Sequence, residues 1–191
     1  MPIPVELLTQ PALTGLALAL RNKTHTTDPT AGVLWDYLTE QGLLDELSEF
    51  HKRKLTPAKY LPLMAHRWIV FDAVVNARAL KPGHEIAVGC LRAAEAWVRD
   101  PSSENLDVCK KHERGAHNAP AHPVVEASKH ACGAAIHNKQ QPAWVDMIAA
   151  AEDADECLSA RGSARSHIHT DATNRVLLYL AMYSYLPDPP V

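Results

Sequence analysis

Cysteine and histidine side chains are concentrated in one stretch of the chain. Seven of them lie within the 29 residues from 109 to 137, namely Cys109, His112, His117, His122, His130, Cys132 and His137. Thiolate and imidazole are the usual protein ligands of zinc. On a helix, Cys109 and His112 share one face. Glu126 and His130 share another face, and His137 lies two turns beyond His130. These five residues indicate one function to consider, a zinc-binding protein or a metal-dependent hydrolase.

The spacing of these residues argues against that hypothesis. It matches no standard zinc-binding pattern, and the chain contains no CxxC pair. His130 and Cys132 are two residues apart, so they point to different faces of a helix. The alternative is a solvent-exposed helical hairpin in which the histidines are incidental, and we favour it. We therefore predict no cofactor, with zinc as the alternative.

A second pair of histidines, His167 and His169, lies close to Asp171. In a helix, His167 and Asp171 would pair one turn apart, and in a strand the two imidazoles would share a face. Either arrangement would suit an acid–base pair or half of a metal site. The simpler explanation, which we favour, is a helix start where Asp171 complements the positive end of the helix dipole.

Sequence motifs for catalysis are missing. The chain has no GxSxG, HExxH, P-loop or GxGxxG motif. A hydrolase built on a cysteine near a histidine stays an alternative, since spatial proximity cannot be read from sequence. In a cytosolic chain, however, dispersed cysteines are typically reduced and buried. We therefore predict a protein that is not an enzyme.

Charged residues form clusters of both signs, which are typical of solvated helix faces. The basic clusters lie at 51–54 and 110–114, and the acidic cluster consists of Glu152, Asp153, Asp155 and Glu156. The functional alternative is a surface that steers and binds a partner by charge complementarity. We predict the acidic cluster as the candidate partner-binding face.

The composition indicates the fold class and excludes several functions. The chain has 191 residues, 19 Lys and Arg against 22 Asp and Glu, and a net charge of −3, which gives no reason to expect nucleic-acid or membrane binding. Its 29 Ala and 22 Leu favour helices. No apolar run reaches the ~20 residues of a membrane span, and no basic region precedes the apolar stretch 13–20. We therefore predict a cytoplasmic protein.

Proline residues mark the helix starts that position these candidate residues. Asp28-Pro29, Thr56-Pro57 and Asp100-Pro101 each place an N-cap residue before a proline at the first helical position. Together with apolar periodicity, they predict helices over 10–21, 29–41, 43–54, 57–79, 84–99, 101–117, 123–138, 142–160 and 168–186. Residues 1–191 are expected to form a single all-α domain, a bundle of eight or nine helices around two central ones, 57–79 and 84–99. The proline-rich tail 187–191 is expected to fray.

The stretch from Trp68 to Asn105 reads WIVFDAVVNARALKPGHEIAVGCLRAAEAWVRDPSSEN. Its W…DA…A helix, its CLRAAEAWV helix and the DPSSEN that opens the next helix resemble uncharacterised all-helical bacterial families encoded with type VI secretion and polymorphic-toxin immunity genes. The resemblance implies a non-enzymatic module that binds another protein. It would be a cytoplasmic immunity protein that neutralises a toxin by occlusion, or a secretion-associated adaptor. No catalytic residue comes with the resemblance. A homo-oligomeric scaffold is a further alternative.

Overall fold

A computed structural model shows an all-α molecule, as predicted. It describes residues 2–45, 47, 61–120, 122–138, 145–147, 149–150 and 165–191, without the side chains of 165–169. Within these ranges there is no β strand. In the same ranges, a short 3-10 helix, Val5–Leu7, precedes the α helices whose bounds the structure gives in full, which are α1 (Gln10–Asn22), α2 (Pro29–Glu40), α3 (Leu63–Ala79), α4 (Glu85–Arg99), α5 (Ser103–His117), α6 (Pro123–Ile136) and α7 (Arg165–Met182). No described helix is long and apolar enough to cross a membrane.

The predicted capping chemistry is confirmed at α2 and is wrong at α5. The Asp28 carboxylate accepts hydrogen bonds from two backbone N–H groups of the first turn of α2. Asp100, by contrast, ends α4 in an extended conformation. The hydroxyl of Ser102 caps α5 instead, because it accepts a hydrogen bond from the backbone N–H of Asn105 at 3.3 Å. α5 therefore begins two residues later than predicted.

Helix α3 also begins later than the predicted residue 57. Its N-cap is Pro62, whose φ of −56° and ψ of 136° are extended and not helical. Inside a helix, the proline ring would clash with the carbonyl four residues earlier and would supply no N–H. The prediction that one helix runs through Pro62 is therefore wrong. Thr56-Pro57 and most of the helices predicted over 43–54 and 142–160 lie outside the described residues.

Helix α3 lies between two groups of helices, as its predicted central position requires. α7 packs against it and carries α1 on its own surface, while α4 and α6 also pack against α3. α2 packs on α1, while α5 packs on α4 and α6. α3 is consequently buried over most of its girth, and its buried residues are Ala65, His66, Trp68, Ile69, Val70, Asp72, Ala73, Val74 and Ala77.

Helix α6 is more central than the sequence suggested. It contacts α3, α4 and α5, and it buries Val125, Ala127, Ser128, Ala131, Cys132, Gly133, Ala134 and Ala135. The expectation of a solvent-exposed hairpin is therefore wrong for α6, although α5 fits it, with only Cys109 and Ala116 buried. The reason is side-chain size, because a helix of small residues lets neighbouring backbones approach closely and needs no apolar stripe of large side chains.

The tail 187–191 packs against α3 and does not fray. The indole N–H of Trp68 donates a hydrogen bond to the carbonyl of Pro187 at 2.8 Å. Arg67 forms an ion pair with Asp188, with 2.5 Å between guanidinium nitrogen and carboxylate oxygen. The prolines do prevent the helix from continuing, as expected, but the extended chain they produce is fixed by side chains of α3.

Candidate functional site

A cavity of about 480 Å³ opens where the two terminal segments of the chain meet α3. We call it the terminal cavity. Its walls come from residues 5–11, from one face of α3, from Tyr179 of α7 and from Pro190 of the tail. The two terminal segments are joined next to it, since the backbone N–H of Ile3 donates a hydrogen bond to the carbonyl of Tyr185 at 2.8 Å. Its volume falls in the range of ligand-binding cavities, roughly 300–1,000 Å³.

One wall of the terminal cavity is a cluster of three aromatic rings. Trp68 and Phe71 meet edge to face, with ring centroids 5.5 Å apart. Trp68 and Tyr179 are stacked, with centroids 5.7 Å apart. Both arrangements are favourable for aromatic pairs. Because the Trp68 indole is also hydrogen-bonded to the tail, the wall is held in place from two directions.

The floor of the terminal cavity holds a buried ion pair between α3 and α7. Arg175 binds Asp72 with two nitrogens, Nε to Oδ2 at 2.7 Å and Nη2 to Oδ1 at 3.2 Å. The hydroxyl of Tyr179 donates to the same Oδ2 at 2.9 Å. Asp72 is 1% exposed. A two-pronged guanidinium–carboxylate pair fixes both side chains in one geometry.

Polar side chains of α1 and α3 complete this network. The amide nitrogen of Gln10 donates to Oδ1 of Asp72 and to the side-chain oxygen of Asn76. Asn76 in turn donates to Oδ1 of Asp72 at 3.2 Å. The carboxylate therefore accepts hydrogen bonds from four side chains on three helices. This saturates its lone pairs, so Asp72 acts as an anchor of the fold and has no oxygen left to take a proton from a ligand.

Burial and charge fix the protonation states of this network. Burial raises the pKa of Tyr179 well above its ordinary value, and the Asp72 carboxylate raises it further. Burial alone would lower the pKa of Arg175, but the carboxylate of Asp72 raises it above the ordinary value. The phenol therefore stays neutral and the guanidinium stays charged, which leaves one compensated ion pair under the cavity.

A second, more polar cavity lies on the other side of Arg175. Its volume is about 550 Å³, and threonines of α1 and of the loop before α2 line it, together with Asp28. Nη1 of Arg175 donates to the hydroxyl of Thr14 at 3.3 Å. Gln10 lines both cavities. The ion pair thus separates an apolar cavity from a polar one.

The structure places four of the seven Cys and His residues of the predicted zinc cluster in two separate groups. Cys109 and Cys132 are buried with Cys90. The Cys132 thiol donates to the carbonyl of Cys90 at 3.1 Å, and the Cys90 thiol donates to the carbonyl of His112 at 3.6 Å. Hydrogen bonds with Cys109 and Cys90, followed by burial, raise the pKa of Cys132 well above its ordinary value. Cys132 is therefore a protonated thiol at neutral pH, which is a poor nucleophile and a poor metal ligand.

The second group consists of His130 and His137, which share one carboxylate. Nδ1 of His130 lies 3.1 Å from Oδ1 of Asp146, and Nδ1 of His137 lies 2.6 Å from Oδ2 of the same residue. Glu126 forms its ion pair with Lys129. In the part of the chain that the structure describes, no group of three His, Cys, Asp or Glu side chains is arranged to hold a metal ion. The five predicted ligands are thus not brought to one point.

Other predicted site residues lie outside the described part of the structure. They include the acidic cluster Glu152, Asp153, Asp155 and Glu156, the basic residues 51–54 and the side chains of His167 and His169. Asp171 is half-buried in α7. In the other basic cluster, Lys110 pairs with Asp107 at 2.8 Å on the surface of α5, as expected of a solvated helix face.

No motif in the sequence marks the residues of the terminal cavity. The sequence signal that does point to them is a lone charge within an apolar helical run. Asp72 is the one acidic residue between Trp68 and Val75, and Arg175 precedes the apolar run 176–182. A charge at such a position is buried and must find an opposite charge. Pairing the two charges would have predicted that α3 packs on α7.

Comparisons with family models, with curated proteins and with solved structures find no match for this chain. The function must therefore be argued from the geometry of the site itself.

Proposed function

We propose that the protein is a non-enzymatic binding module whose recognition site is the terminal cavity and whose partner is another protein. The observation that carries this proposal is the rigid aromatic wall of Trp68, Phe71 and Tyr179 above a saturated polar floor. Such a preformed apolar cavity accepts an anchoring side chain of a partner, and buried anchors of this kind dominate the energy of many interfaces. Each Å² of apolar surface buried there contributes roughly 25 cal/mol.

The polar groups of the cavity floor support binding rather than chemistry. All four partners of Asp72 donate to it, and the phenol of Tyr179 keeps its proton at neutral pH. Groups fixed in this way hold the walls of a site and exchange no protons with a ligand. The buried network therefore preorganises the cavity, which lowers the entropic cost of binding.

The partner that the sequence resemblance implies is a bacterial toxin or a component of a secretion system. In this form of the proposal, the protein acts in the bacterial cytoplasm as an immunity protein and docks over the toxin's active site, or it serves as an adaptor. An anchor side chain in the terminal cavity would fix the complex. The acidic cluster Glu152 to Glu156 would add charge steering.

The test is a carboxylate placed in the cavity wall. Val75 is half-buried and lines the cavity, so Val75→Glu should block an apolar anchor. The matched control is Val33→Glu, since Val33 is exposed on α2 and is not a lining residue. A photocrosslinking phenylalanine derivative in place of Phe71 first captures the partner. Titration calorimetry with that purified partner then compares the two variants.

We expect Val75→Glu to weaken binding by about 30-fold or more, equivalent to the ~2 kcal/mol of a hot-spot residue, and Val33→Glu to leave affinity unchanged. Thermal unfolding checks that both variants fold. Unchanged affinity in Val75→Glu would contradict the proposal. If a toxin gene lies beside the gene for this chain, co-expression adds a second readout. Val33→Glu should protect the cell and Val75→Glu should not.

A further inference from the structure

We propose, building on the function proposed above, that the terminal cavity recognises a lysine side chain flanked by apolar residues on the partner protein. Three features of the cavity favour this ligand. Within the described part of the chain, they are a carboxylate at the cavity edge that has no ion pair, an amide oxygen that receives no hydrogen bond, and an aromatic wall along which an aliphatic chain can lie.

The carboxylate belongs to Glu6, on the 3-10 helix at the cavity edge. Glu6 is exposed, and it makes no hydrogen bond or ion pair with another described residue. Among the described residues, the only other carboxylate that lines the cavity is Asp72, whose charge is matched by Arg175. Within the described chain, no Lys, Arg or His lines the cavity. Its edge therefore carries a net negative charge, which favours a cationic ligand group and disfavours an anionic one.

The amide of Gln10 supplies a hydrogen-bond acceptor. Its nitrogen donates to Asp72 and to Asn76, and these two acceptors fix which end of the amide is the nitrogen. The remaining oxygen has no donor among the described residues. Gln10 lines the cavity, so this oxygen suits an ammonium group, which has three donors and no acceptor.

The remaining walls suit the aliphatic part of a lysine. Lysine places its four methylenes along apolar surface and keeps its ammonium group at the polar edge. Phe71 and Val75 are half-buried and offer that surface, and the aromatic ring adds attraction for a nearby cation. A volume of about 480 Å³ exceeds one lysine side chain. An apolar neighbour in the partner's sequence would therefore enter the cavity with it.

The experiment compares three peptides that differ in one side chain. They are acetyl-leucyl-lysyl-leucinamide and its analogues with norleucine or glutamate in the middle. Norleucine keeps the aliphatic chain and lacks the ammonium group. Binding to the full chain is followed by NMR, through the indole N–H of Trp68 and the side-chain amide of Gln10, both of which report from the cavity.

We expect the lysine peptide to bind about fivefold more tightly than the norleucine peptide, the upper range for an exposed ion pair, and the glutamate peptide to bind most weakly. Glu6→Gln should remove the lysine preference without weakening the norleucine peptide. Salt at 1 M should have the same effect, because it screens exposed charges. Val75→Glu should weaken the norleucine peptide, which carries no ammonium group to compensate the new carboxylate.

The outcomes separate this inference from the proposed function. Equal binding of the lysine and norleucine peptides, or a lysine preference that survives Glu6→Gln, would overturn lysine recognition and leave the cavity as a binding site. If neither the peptides nor the small amine 4-phenylbutylamine binds, or if Val75→Glu binds the norleucine peptide as wild type does, the cavity is not the recognition site and both proposals fail. If 4-phenylbutylamine binds and no peptide does, the ligand is a small amine, and the proposal that the partner is a protein is wrong.

Discussion

At the level of single residues, His66 shows how burial fixes a protonation state. Its Nε2 donates a hydrogen bond to the carbonyl of Ala134 at 2.6 Å, since a carbonyl can only accept. Its ring packs against Trp97, with centroids 4.6 Å apart. Burial lowers the pKa of His66 below its ordinary value of 6.5, and the bond to Ala134 opposes this only in part. His66 is thus a neutral component of the α3–α6 interface.

This pKa predicts how stability depends on pH. Below about pH 6.5 the unfolded chain binds a proton at His66 that the folded chain resists. The free energy of unfolding should therefore fall as the pH falls below about 6.5. Above that pH the contribution of His66 to stability is fully present. His66→Gln keeps an N–H donor and cannot titrate. Urea unfolding at pH 7.5 and 5.5 should show a smaller fall for this variant than for wild type.

The control for the pH experiment is His25→Gln. His25 is exposed, and its hydrogen bond with Asp36 raises its pKa, so its contribution to the pH dependence has the opposite sign. Removing it should not reduce the fall in stability. An equal fall in wild type and in His66→Gln would show that the buried imidazole is not responsible.

The residues of the candidate site show what a sequence can indicate about chemistry. The Cys/His concentration was visible at once, but spacing along a chain does not fix the order in which helices pack. Asp146, which joins His130 to His137, lies nine residues beyond the cluster and had no motif to mark it. The Asp72–Arg175 pair is separated by 103 residues, so only the rule that buried charges need partners could have joined them.

At the level of helices, two of the described helices begin with an unusual cap. The N-cap of α4 is His84, whose Nδ1 accepts a hydrogen bond from the backbone N–H of Ile86 at 3.3 Å. The N-cap of α6 is His122, which makes the same bond to Val124 at 3.3 Å. These bonds are long compared with those of the Asp28 cap of α2. Histidine therefore serves here as a weak cap.

An aspartate should cap these two helices better. We predict that His84→Asp and His122→Asp each raise the free energy of unfolding by about 0.5–1 kcal/mol, because a carboxylate accepts more strongly and complements the helix dipole. Both residues are exposed, so no packing is lost. The double variant should show the sum, since the caps start different helices. Urea unfolding measures each value, and a loss of stability in either single variant would disprove the prediction.

Helix boundaries were predictable where local chemistry decides them. α1, α2 and α4 begin and end close to the predicted residues because their caps and apolar periodicity agree. The starts of α3 and α5 were misplaced because Pro57 and Asp100 were taken to mark them, whereas Pro62 and Ser102 are the N-caps in the structure. Which signal prevails depends on packing against other helices, and one segment of sequence does not contain that information.

At the level of the whole molecule, the two terminal segments close the fold over α3. Leu186 is buried, and Trp68 and Arg67 bind the tail beyond it. Arg67 also donates to the carbonyl of Val98 at 2.7 Å, which ties the tail to α4. A proline-rich tail was expected to fray on composition alone. It is ordered here because buried donors of α3 need its carbonyl and carboxylate groups.

Truncation after Leu186 tests the contribution of the tail. It removes the acceptor of the Trp68 indole and the Pro190 wall of the cavity, so we expect a loss of about 1–3 kcal/mol, the cost of an unsatisfied buried donor. Asp188→Asn is the matched control. Asp188 is 77% exposed, so losing its ion pair should cost less than about 1 kcal/mol. Chemical denaturation gives both values, and equal stability of the truncated and full chains would refute the assigned role.

The closure of the terminal cavity by Pro190 has a consequence for the order of folding. The cavity joins residues 5–11 to Tyr179 and Pro190, and the hydrogen bond from Trp68 to Pro187 spans 119 positions. Contacts between segments so far apart in the chain carry a high loop-closure cost and form late. We therefore expect α1 to α6 to form before the cavity is complete, so that its walls are among the last parts of the fold to assemble.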